Sequence, residues 1–210
     1  MFFQKDYILR MIEMMGDLMR RIRELMNELA RLKLLDDTCR KHTGMSLDVA
    51  EELTRESLCS LLQPMPRLVM SEILYAKAQT ITLAEDEKEA LLHKSLHLLS
   101  SLWAEGPLCE VRAERLLEMK ACVYPLLDSG ELLACARFFA EAEYFSDMED
   151  AIFQAAESLP AGELFTEACR EGIALLETAS RAKPDALALA RTSSGELLSS
   201  AQELRVLSES

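Results

Sequence analysis

The sequence is poor in the residues that build sheets and turns. Its 210 residues include only seven Gly and six Pro, and Ile and Val together number 12 against 38 Leu. Few β-branched residues and few breakers disfavour strands and favour helices. No run of 18 apolar residues occurs, so nothing spells a membrane-crossing helix. No Cys pair has the CxxC spacing of a zinc or redox motif. The six cysteines (Cys39, Cys59, Cys109, Cys122, Cys135 and Cys169) are scattered and read as thiols in a reducing compartment. The phosphate-binding glycine motifs, the GxSxG elbow and the EF-hand loop are missing as well, and with them the common signatures of nucleotide, acyl-transfer and calcium chemistry. The opening Met1-Phe2-Phe3-Gln4-Lys5-Asp6 lacks the apolar block of a signal peptide, and the expected location is cytoplasmic.

What is present is apolar content of 50%, charged content of 28% and a net charge of −13. This is the composition of a chain that folds, and one long enough to build its own core without disulfides or metal. The charge is uneven. Residues 1–44 carry nine bases and seven acids, which leaves +2. The remainder carries 14 bases and 29 acids, which leaves −15. The acidic balance excludes a nucleic-acid footprint spread over the whole surface, since phosphate binding needs a basic face. It divides the chain into a mildly basic head and an acidic body.

The head reads as one long amphipathic helix over residues 4–36. Ile8, Met11, Met15, Leu18, Ile22, Leu25, Leu29 and Leu32 recur at alternating steps of three and four, a heptad seam. Ile12, Met19 and Met26 add a second row. Six of the eleven Met lie in this head, and flexible Met side chains suit adaptable interfaces. The eight seam residues are therefore the expected self-association surface of a homodimer or higher homo-oligomer. The competing reading docks the same face on the chain's own body.

After Thr43-Gly44 the chain reads as about ten helices in all, separated by short punctuation. Ser46 caps a helix over 46–63, and Gln63-Pro64-Met65-Pro66 interrupts before a helix over 66–81. Thr82 to Glu85, Ser146 to Glu149 and Ser193 to Glu196 have the spacing of capping boxes. Gly106-Pro107, Pro125, Asp128-Ser129-Gly130, Leu159-Pro160-Ala161-Gly162 and Lys183-Pro184-Asp185 are stops or turns. Short loops bring successive helices together antiparallel.

Residues 129–160 resemble a tetratricopeptide repeat. Leu132, Cys135, Ala136 and Phe139 occupy its first-helix offsets, and Phe145, Met148, Ile152, Ala155 and Pro160 its second-helix and terminal offsets. Met148 and Cys135 depart from the usual Ala and Leu, and the pattern does not recur at the next period. The expected fold is all-α: tetratricopeptide-like antiparallel hairpins, solenoid-like, behind a long N-terminal helix. Its parts are residues 1–44, a hairpin body over 45–183 and C-terminal capping helices over 184–210. Met1-Phe2-Phe3-Gln4-Lys5-Asp6-Tyr7-Ile8-Leu9-Arg10 also resembles the start of a family of uncharacterised bacterial proteins with a tetratricopeptide-like body. That resemblance implies a Gram-positive, cytosolic source and brings no activity with it.

Chemistry is scarce. Glu89, His93 and His97 fall at i, i+4 and i+8 on one helix side, a spacing open to a metal, yet without HExxH or a third ligand they read as a solvated surface pair. Cys39 and His42 beside Asp36 and Asp37 suggest a thiol with a base, but their place is a helix end with Arg40 and Lys41. Glu51-Glu52 and Glu85-Asp86-Glu87 read as polar faces. No catalytic, metal or cofactor residue is assigned. The expectation is a non-catalytic protein–protein interaction scaffold with a protein or peptide partner. The alternative is a regulator that touches nucleic acid or a membrane surface through the head, where Arg20, Arg21 and Arg23 cluster.

Overall fold

A computed structural model describes residues 2–25 and 27–209, with side chains from residue 6 onward. Among these residues every regular element is helical. In chain order they are α1 (Phe2–Glu24), α2 (Glu28–Thr43), α3 (Leu47–Glu52), α4 (Arg55–Leu61), α5 (Pro64–Thr80), α6 (Glu85–Ser100), α7 (Gly106–Val123), a 3-10 turn (Tyr124–Leu126), α8 (Ser129–Glu141), α9 (Phe145–Glu157), α10 (Glu163–Ala179), α11 (Pro184–Leu189) and α12 (Ser194–Glu209).

The head is two helices, not one, which corrects the single helix expected over 4–36. Asn27 sits in extended backbone and its side chain accepts from Leu29 N at 2.8 Å, so it caps a new helix instead of continuing the old one. Breaking α1 frees the Leu25 carbonyl. Arg31 collects it through Nε at 2.8 Å and reaches Thr80 O through Nη1 at 2.8 Å. Glu28 accepts from Thr82 N at 3.0 Å. The break is thus pinned to the end of α5 by side chains that periodicity ignores.

Elsewhere the punctuation shifts in small, explicable ways. Residues 46–63 form two short helices, because Thr54 caps the second by accepting from Ser57 N at 3.2 Å. The Thr82 box is replaced by a start at Glu85, where Glu87 accepts from Ala84 N at 3.3 Å while Thr82 is engaged by Glu28. The Ser146 box is also displaced: α9 begins at Phe145, and the Ser146 hydroxyl donates to Ala190 O at 2.8 Å. Ser193 does cap α12, accepting from Glu196 N at 3.2 Å. Asp128, read as part of a turn, proves to be a full capping box with Glu131. Gly44 closes α2 at a φ of +78°, a conformation that costs glycine little.

The chain forms two compact units. One comprises Met1–Leu102 with Glu118–Tyr124, the other Trp103–Leu117 with Pro125–Ser210. In the first, α5 packs on α1, α2 and α6. Residues 68–74 of α5 are buried without interruption, Ser71 and Glu72 included. Ser71 and Ser95 satisfy each other there: each hydroxyl donates to the other's carbonyl, at 2.8 and 2.7 Å. In the second unit α8 and α9 pack as a pair, and α10 lies against α9 and α12. Gly172 is what lets α10 approach. A Cβ there would stand 2.4 Å from Ile152 Cγ2.

Candidate interaction site

The second unit carries a cleft of about 520 Å³ between the turn that follows α8 and the end of α11. Both helices stop in the same way. At α8, Tyr144 N reaches back to Phe139 O at 2.9 Å with Glu143 in the left-handed region, φ 61°. At α11, Thr192 N reaches back to Leu187 O at 3.0 Å with Arg191 at φ 55°. These are Schellman closures built without glycine, each costing about 1 kcal/mol. Among the described residues they are the only non-glycine positions with positive φ, and both line this cleft.

The floor is apolar. Phe145 is buried, and Tyr144 stacks on Phe139 with ring centroids 6.4 Å apart. Burial first, then the charges of Glu114 and Asp147, push the Tyr144 hydroxyl up, so it stays protonated. Leu189 stands at the edge with 86% of its surface exposed. Ser146 ties the two walls through its bond to Ala190 O. Glu143, Asp147 and Arg191 supply charge around the apolar floor. The arrangement can take an apolar side chain and pair with polar groups beside it. It presents no nucleophile held against a base.

The expected self-association residues are placed unequally. Ile8, Met11, Met15, Leu18 and Ile22 are buried in the chain itself, where α1 packs on α5. Leu25 and Leu32 are partly exposed, and Leu29 is 78% exposed. α1 ends at Glu24 and α2 begins at Glu28, so the eight residues are divided between two helices, with Leu25 outside both. Met26, part of the second row, lies outside the described residues, as do the side chains of residues 1–5. Of the basic cluster, Arg20 is paired with Asp17 at 3.2 Å and Glu24 at 3.6 Å.

The other candidates separate. His93 Nε2 lies 2.7 Å from Arg55 Nη1, and a guanidinium there competes with any cation. Among the described residues no group of three or more His, Cys, Asp or Glu is arranged to hold a metal ion. Cys39 is buried, its partners are Thr43 and Met70, and burial pushes its thiol up. Glu51, read as a solvated acid, is gripped by Lys77 at 2.6 Å. Sequence reasoning missed the cleft. Its walls are 44 residues apart, and the only local signal was an exposed leucine pattern in Ala-Leu-Ala-Leu-Ala (186–190). No helix among the described residues is long and apolar enough to cross a membrane. Compared with known proteins, the chain matches no family model, no curated protein and no solved structure.

Proposed function

We propose that this chain is a non-catalytic protein–protein interaction protein whose contact surface is the cleft closed by the ends of α8 and α11. The observation that carries the reading is Leu189, an almost fully exposed leucine beside an open, apolar-floored cleft. Two left-handed non-glycine residues on one rim add to it, because such strain gathers at binding sites. The tetratricopeptide-like pattern of residues 129–160 points the same way, since paired helices of that kind present grooves to peptides. The partner is a peptide with an apolar anchor flanked by a base, complementary to Glu143 and Asp147 and to an acidic body.

The test compares proteins retained from a native lysate by the unmodified chain and by Leu189→Asp. Leu189 is exposed, so the change leaves packing intact. A partner held by the first and lost by the second supports the cleft; identical retention overturns it. Self-association through the seam would first require α1 to leave α5. Light scattering on the same preparations tests it, because a mass near 23.6 kDa would sink the homo-oligomer.

A further inference from the structure

Three helices of the first unit bring unlike groups to one sulfur. Cys59 lies on α4 and is partly exposed. His97 and Ser101 stand four residues apart at the end of α6, so they share a face. Cys59 Sγ lies 3.6 Å from Ser101 Oγ, and His97 is a second hydrogen-bonding neighbour of the sulfur. Arg67 of α5 donates from Nη1 to Ser101 Oγ at 3.2 Å, and from Nη2 to Cys59 O at 2.6 Å and Leu62 O at 3.0 Å. A nucleophile, a base, a hydroxyl and a fixed cation therefore meet at a surface-reachable point.

The other thiols have different settings. Cys39, Cys109, Cys135 and Cys169 are buried, and Cys122 is exposed. Burial pushes Cys39 and Cys169 up, and drives Cys109 up to about 12. Burial also opposes the Cys59 thiolate, but hydrogen bonding with His97 and Ser101, together with the electrostatic influence of His97 and of the Arg67 guanidinium, outweighs it and holds this thiol below its ordinary value.

We propose that Cys59 is an oxidative modification site that takes hydroperoxides, with His97 as its proton carrier and Arg67 and Ser101 as positioning residues. The thiol proton passes to His97. The thiolate sulfur attacks one peroxide oxygen, the O–O bond breaks, and sulfur loses two electrons to become a sulfenic acid. The leaving hydroxide takes the proton back from His97 and departs as water. With hydrogen peroxide the thiol and peroxide give sulfenic acid and water, and no other reactant is needed. The inference is independent of the cleft.

The test treats the reduced full chain with limiting hydrogen peroxide, traps sulfenic acid with a cyclic 1,3-diketone and locates the adduct by peptide mass mapping. The expected order is Cys59 ahead of the more exposed Cys122. His97→Gln keeps size and hydrogen bonding but cannot carry the proton, and it should slow Cys59 by about tenfold or more. Cys122 reacting first, or a Cys59 rate indifferent to His97→Gln, overturns the proposal. Should circular dichroism show His97→Gln unfolded, the order of Cys59 and Cys122 in the unmodified chain decides alone.

Discussion

The two units fasten their helix ends by different chemistry. In the first, long cations gather orphan carbonyls. Arg31 takes those of Leu25 and Thr80, Arg67 those of Cys59 and Leu62, and Lys94 those of Ala50, Glu51 and Leu53, the last two at 2.6 and 2.7 Å. In the second, α8 and α11 fold back on their own backbone, and α9 and α10 interlock through a missing side chain at Gly172. Both units keep a six-residue helix by these means: α3 is held by a cation in the first, and α11 closes on its own backbone in the second. A six-residue helix has little stability of its own, and a cation at its C-terminal end satisfies several acceptors and the helix dipole together.

Three substitutions sharpen or break that contrast. The largest effect is expected in the interlocked unit. Gly172→Val forces two methyls into space that Ile152 already fills, and overpacking with a β-branched helix residue costs about 3 kcal/mol. Calorimetry should show the loss as a drop of roughly 6–12 °C in Tm; an unchanged Tm would mean that α10 shifts freely and the interlock is not tight. Next comes Lys94→Met, which keeps the aliphatic stem and removes the ammonium. Losing charged hydrogen bonds to the end of α3 costs about 2 kcal/mol. Hydrogen exchange should quicken over residues 47–53 before any other segment of that unit. Smallest is a gain: Glu143→Gly relieves the left-handed backbone and raises stability by about 1 kcal/mol, read as a higher urea midpoint. A loss there would show that the glutamate side chain contributes more than its backbone conformation costs.

Helix content was legible because leucine-rich 3.6-residue periodicity and end signals are local. Gly44, Ser46 and Ser193 do at the helix ends what their chemistry suggests. The head misled because a hydrophobic seam is blind to polar side chains. Asn27 carries no weight in a heptad count, yet it caps a helix, and Arg31 stabilises the break by contacts 49 residues away. The same blindness hid Cys59, Arg67 and His97, which lie on three helices and meet only after packing. The seam's apolar periodicity is explicit in the sequence, but periodicity cannot say which surface covers it: Ile8, Met11, Met15, Leu18 and Ile22 are buried within the chain, while Leu25, Leu29 and Leu32 keep exposed surface.

The uninterrupted burial of residues 68–74 in α5 bears on how the chain is made. Residues 68–74 are shielded on every side, Ser71 and Glu72 with them, and the covers come from both directions along the sequence: α1 and α2 before α5, α6 after it. During synthesis α5 emerges while α6 is still inside the ribosome, so the nascent chain passes through a stage with one wall missing. Residues 68–74 then await their last cover until residues 85–100 have left the ribosome, and the pace of synthesis beyond residue 100 sets how long that wait lasts.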